Sequence, residues 1–201
     1  MLITFTAASA EARALIEKDP SLSPLFEKTK VVSFNADGNH FLALVEAIIA
    51  QQLSGKAAAS ILAKINKAFA NEITKEKILQ AKDEELRELG LSRQKISYLR
   101  SLAELTREGV LDFANIKNQS DQDIFEALIK VKGIGKWTVE MFLLFSLGRR
   151  DVFSAGDLGI RNALKKLYGR EFSVKEAEEL SRKWEPYRSL VTHFLWHYLE
   201  S

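Results

Sequence analysis

Apolar residues recur along this chain at the spacing of a single helix face, and that periodicity narrows the fold more than any other feature. Phe41, Leu44, Val45, Ile48 and Ile49 fall at i, i+3, i+4, i+7 and i+8, one continuous stripe. The same spacing returns in Ala57/Ile61/Ile65/Phe69, Ile96/Leu99/Leu102/Ala103, Ile124/Phe125/Leu128/Val131, Met141/Leu144/Phe145, Ile160/Ala163/Leu164/Leu167 and Leu190/Val191/Phe194/Leu195/Tyr198. Ser92 and Ser120 stand where N-caps belong, and Asp123 lies in the first turn after Ser120. Pro186 separates a helix ending near Trp184 from the last one. Val31–Phe34 is the only stretch with strand-like content, too little to build a sheet on. No repeat of about 30 to 45 residues is visible, which argues against a solenoid. The expectation is an all-α fold of about eight to ten helices with short connections.

At 201 residues and 46% hydrophobic, the chain suits one compact unit or two small lobes that share a core. Its most apolar windows, Phe41–Ala50 and Met141–Leu147, fall short of the roughly 18 apolar residues a membrane span needs. No basic segment precedes an apolar core at the N-terminus, so a secretory leader is not expected. The absence of cysteine removes disulfides, thiolate zinc sites, iron–sulfur clusters and cysteine nucleophiles together. The net charge of +2 is unevenly spread. From Ile129 to Arg170 nine basic residues face three acidic ones, a surplus of +6, and the remainder carries −4. A local contact with a polyanion fits that split; ordinary scatter of solvated charges is the alternative.

The stretch Val131-Lys132-Gly133-Ile134-Gly135-Lys136-Trp137-Thr138 lies between two amphipathic segments and reads as a tight helical hairpin. A dinucleotide loop would need a preceding strand and a third glycine. Two glycines around one apolar residue let the backbone turn with positive φ and come close to a surface. The N–H groups opening the second helix would then point outward beside Lys132 and Lys136, an arrangement that binds phosphate. A turn serving packing alone is the other reading.

Asp157, in Asp151-Val-Phe-Ser-Ala-Gly-Asp-Leu-Gly-Ile160, precedes an apolar stripe and so belongs at a helix N-terminus. The helix dipole and the basic surroundings keep such a carboxylate ionised. It is either a plain N-cap or an anion kept in a basic segment for chemistry. Gln52 continues the stripe of Ile48 and is followed by Ser54 and Lys56. With Gln51 it either reads a ligand or faces water at a helix end. Trp137, Trp184 and Trp196 are the only tryptophans; most such residues are core, but Trp196 lies off the densest stripe of its helix, which leaves a pocket role open. His193 and His197 are spaced i, i+4 without an intervening glutamate or a third ligand, a weak metal pattern.

Taken in order, Gly38–Ser60, Leu89–Leu99, Ile129–Phe145, Asp151–Ile160 and Trp184–Trp196 resemble the helix–hairpin–helix (HhH-GPD) DNA glycosylases, in particular the short AlkA-like branch of DNA-3-methyladenine glycosylase II. The resemblance covers nearly the whole chain from about Leu15 onward and ends in Trp-Glu-Pro-Tyr-Arg-Ser. It implies one glycosylase unit over residues 1–201, with a central helical lobe of about 36–148, a second lobe of about 1–35 plus 149–201, and a cleft between the two.

The resemblance further implies roles for individual residues. Gly133 and Gly135 would hold a DNA phosphate, with Lys132, Lys136 and Thr138 beside it. The backbone carbonyls of Ile129, Val131 and Ile134 would share a structural Na+ or K+ with that phosphate when DNA is bound. Gln51 and Gln52, with Ser54 and Lys56 following, would fill the gap left by an extruded nucleotide. Ser92, Arg93 and Lys95 would grip the backbone at a further turn. Trp137 and Trp196 would wall the base pocket, together with Met141 and Leu158, where larger relatives carry aromatics. Asp157 matches the carboxylate the family needs for catalysis, and no other cofactor is implied.

The chemistry agrees. An alkylated purine is cationic and its glycosidic bond is already weak. An enzyme must flip the nucleotide out and stabilise a cationic sugar as the base leaves. A carboxylate supplies that stabilisation and orients or deprotonates water. Indole faces favour a cationic ring by about 0.5–2 kcal/mol per contact. Bifunctional relatives carry a Schiff-base lysine where Trp137 stands, and Lys136 is rotated from that position by about 100° on a helix. The expectation is therefore a monofunctional glycosylase for 3-methyladenine and 7-methylguanine in double-stranded DNA, monomeric, away from membranes, in the bacterial cytoplasm or a nucleus. Its rivals are a glycosylase for another lesion such as hypoxanthine and a non-catalytic helix–hairpin–helix DNA-binding module.

Overall fold

The structure is a computed structural model that describes residues 2–36 and 38–200. In chain order it runs β1 (Leu2–Thr6), α1 (Ala10–Lys18), α2 (Ser23–Lys28), β2 (Val31–Asn35), α3 (His40–Ala50), α4 (Gly55–Ala68), α5 (Lys75–Gln80), α6 (Asp83–Glu88), α7 (Arg93–Arg107), α8 (Asp121–Leu128), α9 (Lys136–Met141), α10 (Leu158–Tyr168), α11 (Val174–Ser181) and α12 (Arg188–Glu200). The fold is all-α, but among the described residues it has twelve α-helices where eight to ten were expected. The excess comes from α2, α5, α6 and α9, each six residues long and too short to show a repeating stripe. None of the described helices is long and apolar enough to cross a membrane.

The chain divides into two compact units, Gly38–Phe142 on the one hand and Met1–Asp37 with Leu143–Ser201 on the other. In the first, the stripes read from the sequence are the core: Phe41, Leu44, Val45, Ile48 and Ile49 of α3 are buried, as are Ile96, Leu99, Leu102 and Ala103 of α7. The caps are where they were read. Ser92 Oγ accepts the Lys95 N–H at 3.2 Å to open α7, and Ser120 Oγ accepts the Asp123 N–H at 3.1 Å to open α8.

The second unit packs α10 and α12 around Ile160, Leu164, Leu190, Val191, Phe194 and Leu195, with Leu15, Leu22 and Leu25 from the N-terminal segment. Trp184 is fully buried there, and its indole N–H donates to Asp19 at 3.2 Å. The expectation that Val31–Phe34 builds no sheet is overturned. β1 and β2 pair antiparallel with Ile3 opposite Phe34 and Phe5 opposite Val32. Their side chains alternate, Phe5 and Val32 buried, Leu2, Thr4, Val31 and Ser33 exposed, as a two-residue period requires. No turn signal betrays this pairing because α1 and α2 intervene between the strands.

Candidate active site

In the Gly38–Phe142 unit the hairpin joins α8 to α9. Buried Val131 and Ile134 anchor it, and the Ile134 N–H closes the turn on the Val131 carbonyl at 3.1 Å. The two glycines do different work. Gly133 has φ of +79°, and a β-carbon there would stand 2.1 Å from the Tyr98 ring, so only glycine fits. Gly135 has an ordinary φ of −107° and is the N-cap of α9, yet it brings no side chain to cap the helix. Nothing lies within 4 Å of where its β-carbon would be. The opening turn of α9 therefore presents its backbone N–H groups past a residue that leaves space for a phosphate oxygen.

Lys132 is exposed, and its backbone N–H is fixed by Ser101 Oγ at 3.1 Å. The Lys136 ammonium lies 3.7 Å from the buried Glu140 carboxylate. Thr138 is half-buried and Trp137 is 52% exposed, the opposite of a core tryptophan.

The α3–α4 loop is tied to this hairpin. Gln51 Nε2 donates to the Gly133 carbonyl at 2.8 Å. Gln52 is exposed and held at φ of +56°, a left-handed backbone costing a non-glycine residue on the order of 1 kcal/mol or more. Leu53 beside it is also exposed, Ser54 N-caps α4, and Lys56 faces solvent. Lys95, which the resemblance makes a DNA contact, turns its ammonium onto the Ile49 carbonyl at 2.6 Å, where burial lowers its pKa. Its neighbour Ser92 is occupied in capping its own helix, while Arg93 is exposed. Lys95 thus braces the end of α3.

In the other unit Asp157 is the N-cap of α10. It is half-buried, and its Oδ1 accepts the Ile160 N–H at 2.9 Å and the Trp196 indole N–H at 3.2 Å. The loop that carries it is clamped to the start of α12. Arg188 donates to Asp151 Oδ1 at 2.8 Å, to Oδ2 at 2.9 Å and to the Asp151 carbonyl at 3.0 Å. Ser189 Oγ donates to the Arg149 carbonyl at 2.6 Å and accepts the Val152 N–H at 3.0 Å, and Thr192 Oγ1 donates to the Val152 carbonyl at 3.1 Å. The arginine and serine of Trp-Glu-Pro-Tyr-Arg-Ser thereby fix the segment leading to Asp157.

An aromatic cluster completes this site. The Trp196 ring stacks on Phe145 with centroids 5.6 Å apart and planes 20° from parallel. His193 stacks on Phe34 at 4.3 Å and meets Phe145 and Trp196 edge-on. Burial and the nearby His197 push the His193 pKa down to about 4, so it is neutral near pH 7. Leu158, next to Asp157, is 63% exposed. Phe145 is the residue that sequence reasoning missed, counted there as one member of a helical stripe. Trp137 and Met141, the latter half-buried, belong to the Gly38–Phe142 unit, whereas Asp157, Leu158 and Trp196 belong to the other. Among the described residues no group of three or more acidic or histidine side chains is placed to hold a metal ion.

Comparison with known proteins bears on what these features do. Residues 45–186 match the model of the HhH-GPD superfamily base excision DNA repair protein. The chain is 32% identical to a DNA-3-methyladenine glycosylase of Saccharomyces cerevisiae over 90% of its own length and 76% of the relative's. The chain is 31% identical to a putative DNA-3-methyladenine glycosylase of Bacillus subtilis over 90% of its own length, and it spans 66% of that relative. The crystal structure of a DNA-3-methyladenine glycosidase from Bacillus halodurans superposes with a TM-score of 0.93 at 34% identity, covering 99% of this chain and 93% of that one. The Schizosaccharomyces pombe 3-methyladenine DNA glycosylase in complex with abasic DNA superposes with a TM-score of 0.77 at 30% identity, covering 94% and 95%.

Proposed function

The chain belongs to the HhH-GPD superfamily of base excision DNA repair proteins, and on that premise we propose that it is a monofunctional DNA glycosylase for alkylated purines. It hydrolyses the N-glycosidic bond of 3-methyladenine and 7-methylguanine in double-stranded DNA and leaves an abasic site. The observation that carries this reading is Asp157, a half-buried carboxylate gripped by two N–H donors in a clamped loop. A merely capping aspartate needs neither the indole nor the clamp.

The hairpin N–H groups beside Gly135 bind a phosphate, with Lys132 and Lys136 adding charge. Gln52 and Leu53 stand at the tip that fills the gap left by the extruded nucleotide. The carbonyls of Ile129, Val131 and Ile134 are neutral, hard oxygens that suit Na+ or K+. Val131 uses one lone pair on the Ile134 N–H, and a carbonyl has two. These carbonyls would hold the cation, and it would add positive charge to the phosphate site. The flipped base, cationic through its alkyl group, meets the indole of Trp196. As the base departs, the Asp157 carboxylate stabilises the positive sugar and orients the water that attacks it. Trp137 stands in place of a Schiff-base lysine and the Lys136 ammonium faces Glu140, so no strand nicking follows base loss. The protein works as a monomer wherever the chromosome lies.

Incubation with methylated duplex DNA tests the reading. Free 3-methyladenine and 7-methylguanine should appear, with strands cut only after alkali. Release of no base, or a covalent protein–DNA adduct on borohydride treatment, would contradict it.

A further inference from the structure

A missing side chain, Gly159, and the Trp196 indole meet the same oxygen of Asp157. Gly159 lies inside α10 with an ordinary backbone, where alanine is the better helix former. A β-carbon built on it would stand 3.0 Å from Asp157 Oδ1, 3.5 Å from Trp196 Cδ1 and 3.6 Å from Trp196 Nε1. The first distance is tighter than ordinary van der Waals contact, so one neighbour would have to yield by a few tenths of an ångström. The indole has little room to do so. Phe145 stacks on it, and His193, itself packed on Phe5 and Phe34, meets it edge-on. The displaced group would be the carboxylate, and the bond from Trp196 Nε1 would lengthen from 3.2 Å.

We propose that Trp196 and Gly159 are positioning residues for the reaction: the indole N–H aims Asp157, and the absent β-carbon lets it reach. The proposal rests on Asp157 being the catalytic carboxylate. It gives Trp196 a task beyond stacking on a base, and it explains a glycine that neither turn geometry nor positive φ demands. The aromatic cluster then works as a rigid backing that transmits the packing of β1, β2 and α12 to one oxygen atom.

Trp196→Phe keeps an aromatic ring and deletes the donor; Gly159→Ala keeps the donor and crowds the oxygen. At saturating enzyme, single-turnover release of 7-methylguanine from methylated duplex should slow by about tenfold or more in each, because small misplacements of a catalytic group cost rate. Binding to duplex carrying an abasic-site analogue should be unchanged, and the melting temperature of Gly159→Ala should not fall. The double variant should be no slower than the slower single one, since both act through one carboxylate. Wild-type rates in both single variants would overturn the proposal. So would a Trp196→Phe defect seen only as weaker binding of lesion DNA, or a Gly159→Ala defect that follows a lowered melting temperature. Asp157→Asn run alongside separates the two levels. If it stays active, the catalytic reading falls. If it is inactive while both positioning variants match wild type, only the positioning falls.

Discussion

The side-chain amide of Gln51 donates to the backbone carbonyl of Gly133 at 2.8 Å, joining residues 82 positions apart in the chain. The hairpin and the loop that follows α3 are therefore one piece, with Lys95 on the Ile49 carbonyl and Tyr98 under Gly133 adding to the tie from α7. The hairpin proposed to grip phosphate and the loop proposed to fill the helix gap are thus held in register by ordinary hydrogen bonds.

Two neighbouring glutamines should then behave differently. Gln51→Ala removes an exposed hydrogen bond worth about 1 kcal/mol and weakens binding to damaged and undamaged duplex alike. Gln52→Gly relieves the left-handed backbone, so the melting temperature should hold or rise by the equivalent of about 1 kcal/mol, while base release slows for want of a side chain in the gap. Thermal melting and single-turnover kinetics on the pair check this.

Lys132 offers an exposed ammonium next to the hairpin turn. Lys132→Ala should weaken binding uniformly across sequences and lower the slope of log affinity against log salt by about one unit. A titration over several salt concentrations gives the slope directly, and an unchanged slope would remove this lysine from the interface.

Arg188 grips Asp151 through both carboxylate oxygens and its carbonyl, with both side chains partly shielded from water. Arg188→Ala should cost about 2 kcal/mol in denaturant unfolding, from lost charge-assisted hydrogen bonds to a carboxylate left with the backbone N–H of residue 188. Base release should fall as well, because the loop carrying Asp157 loses its anchor to α12. Arg188→Lys, which lacks the planar fork, should recover only part of either loss.

Stability should also depend on acid in a defined window. His193 is depressed to about 4 by burial against a usual value of 6.5, so between those limits the unfolded chain binds a proton that the folded one refuses. Stability is thus complete above about pH 6.5 and lost as pH falls toward 4, by on the order of 3 kcal/mol at about 1.4 kcal/mol per pKa unit. His193→Phe, which suits a ring stacked on Phe34 at 4.3 Å, should flatten unfolding free energies measured over that range.

Much of this arrangement is written locally in the chain. The stripe from Phe41 to Ile49, the caps Ser92 and Ser120 and the N-cap position of Asp157 all depend on residues within a few positions of one another, and each was legible. What was not legible depends on distant partners. The β1–β2 pairing joins Phe5 to Val32 with two helices between them, and no turn sequence marks it. The bond from Trp196 to Asp157 spans 39 positions, and the Gln51–Gly133 bond spans 82. The bond from Lys95 to the Ile49 carbonyl was not legible either, because a backbone carbonyl at the end of α3 has no signature in side-chain identity. Arg188 and Ser189 were visible as part of a motif, but their work on the Asp151 loop emerges only in three dimensions.

The central claim is that the Asp157 charge drives base release, and Asp157→Asn tests it most directly. The amide retains an oxygen for the Ile160 N–H and loses the charge. Single-turnover release of 7-methylguanine should fall by about 10²-fold or more, while affinity for duplex carrying an abasic-site analogue stays equal or tightens as repulsion from phosphates is removed. Release at the wild-type rate by the Asp157→Asn protein would contradict the account.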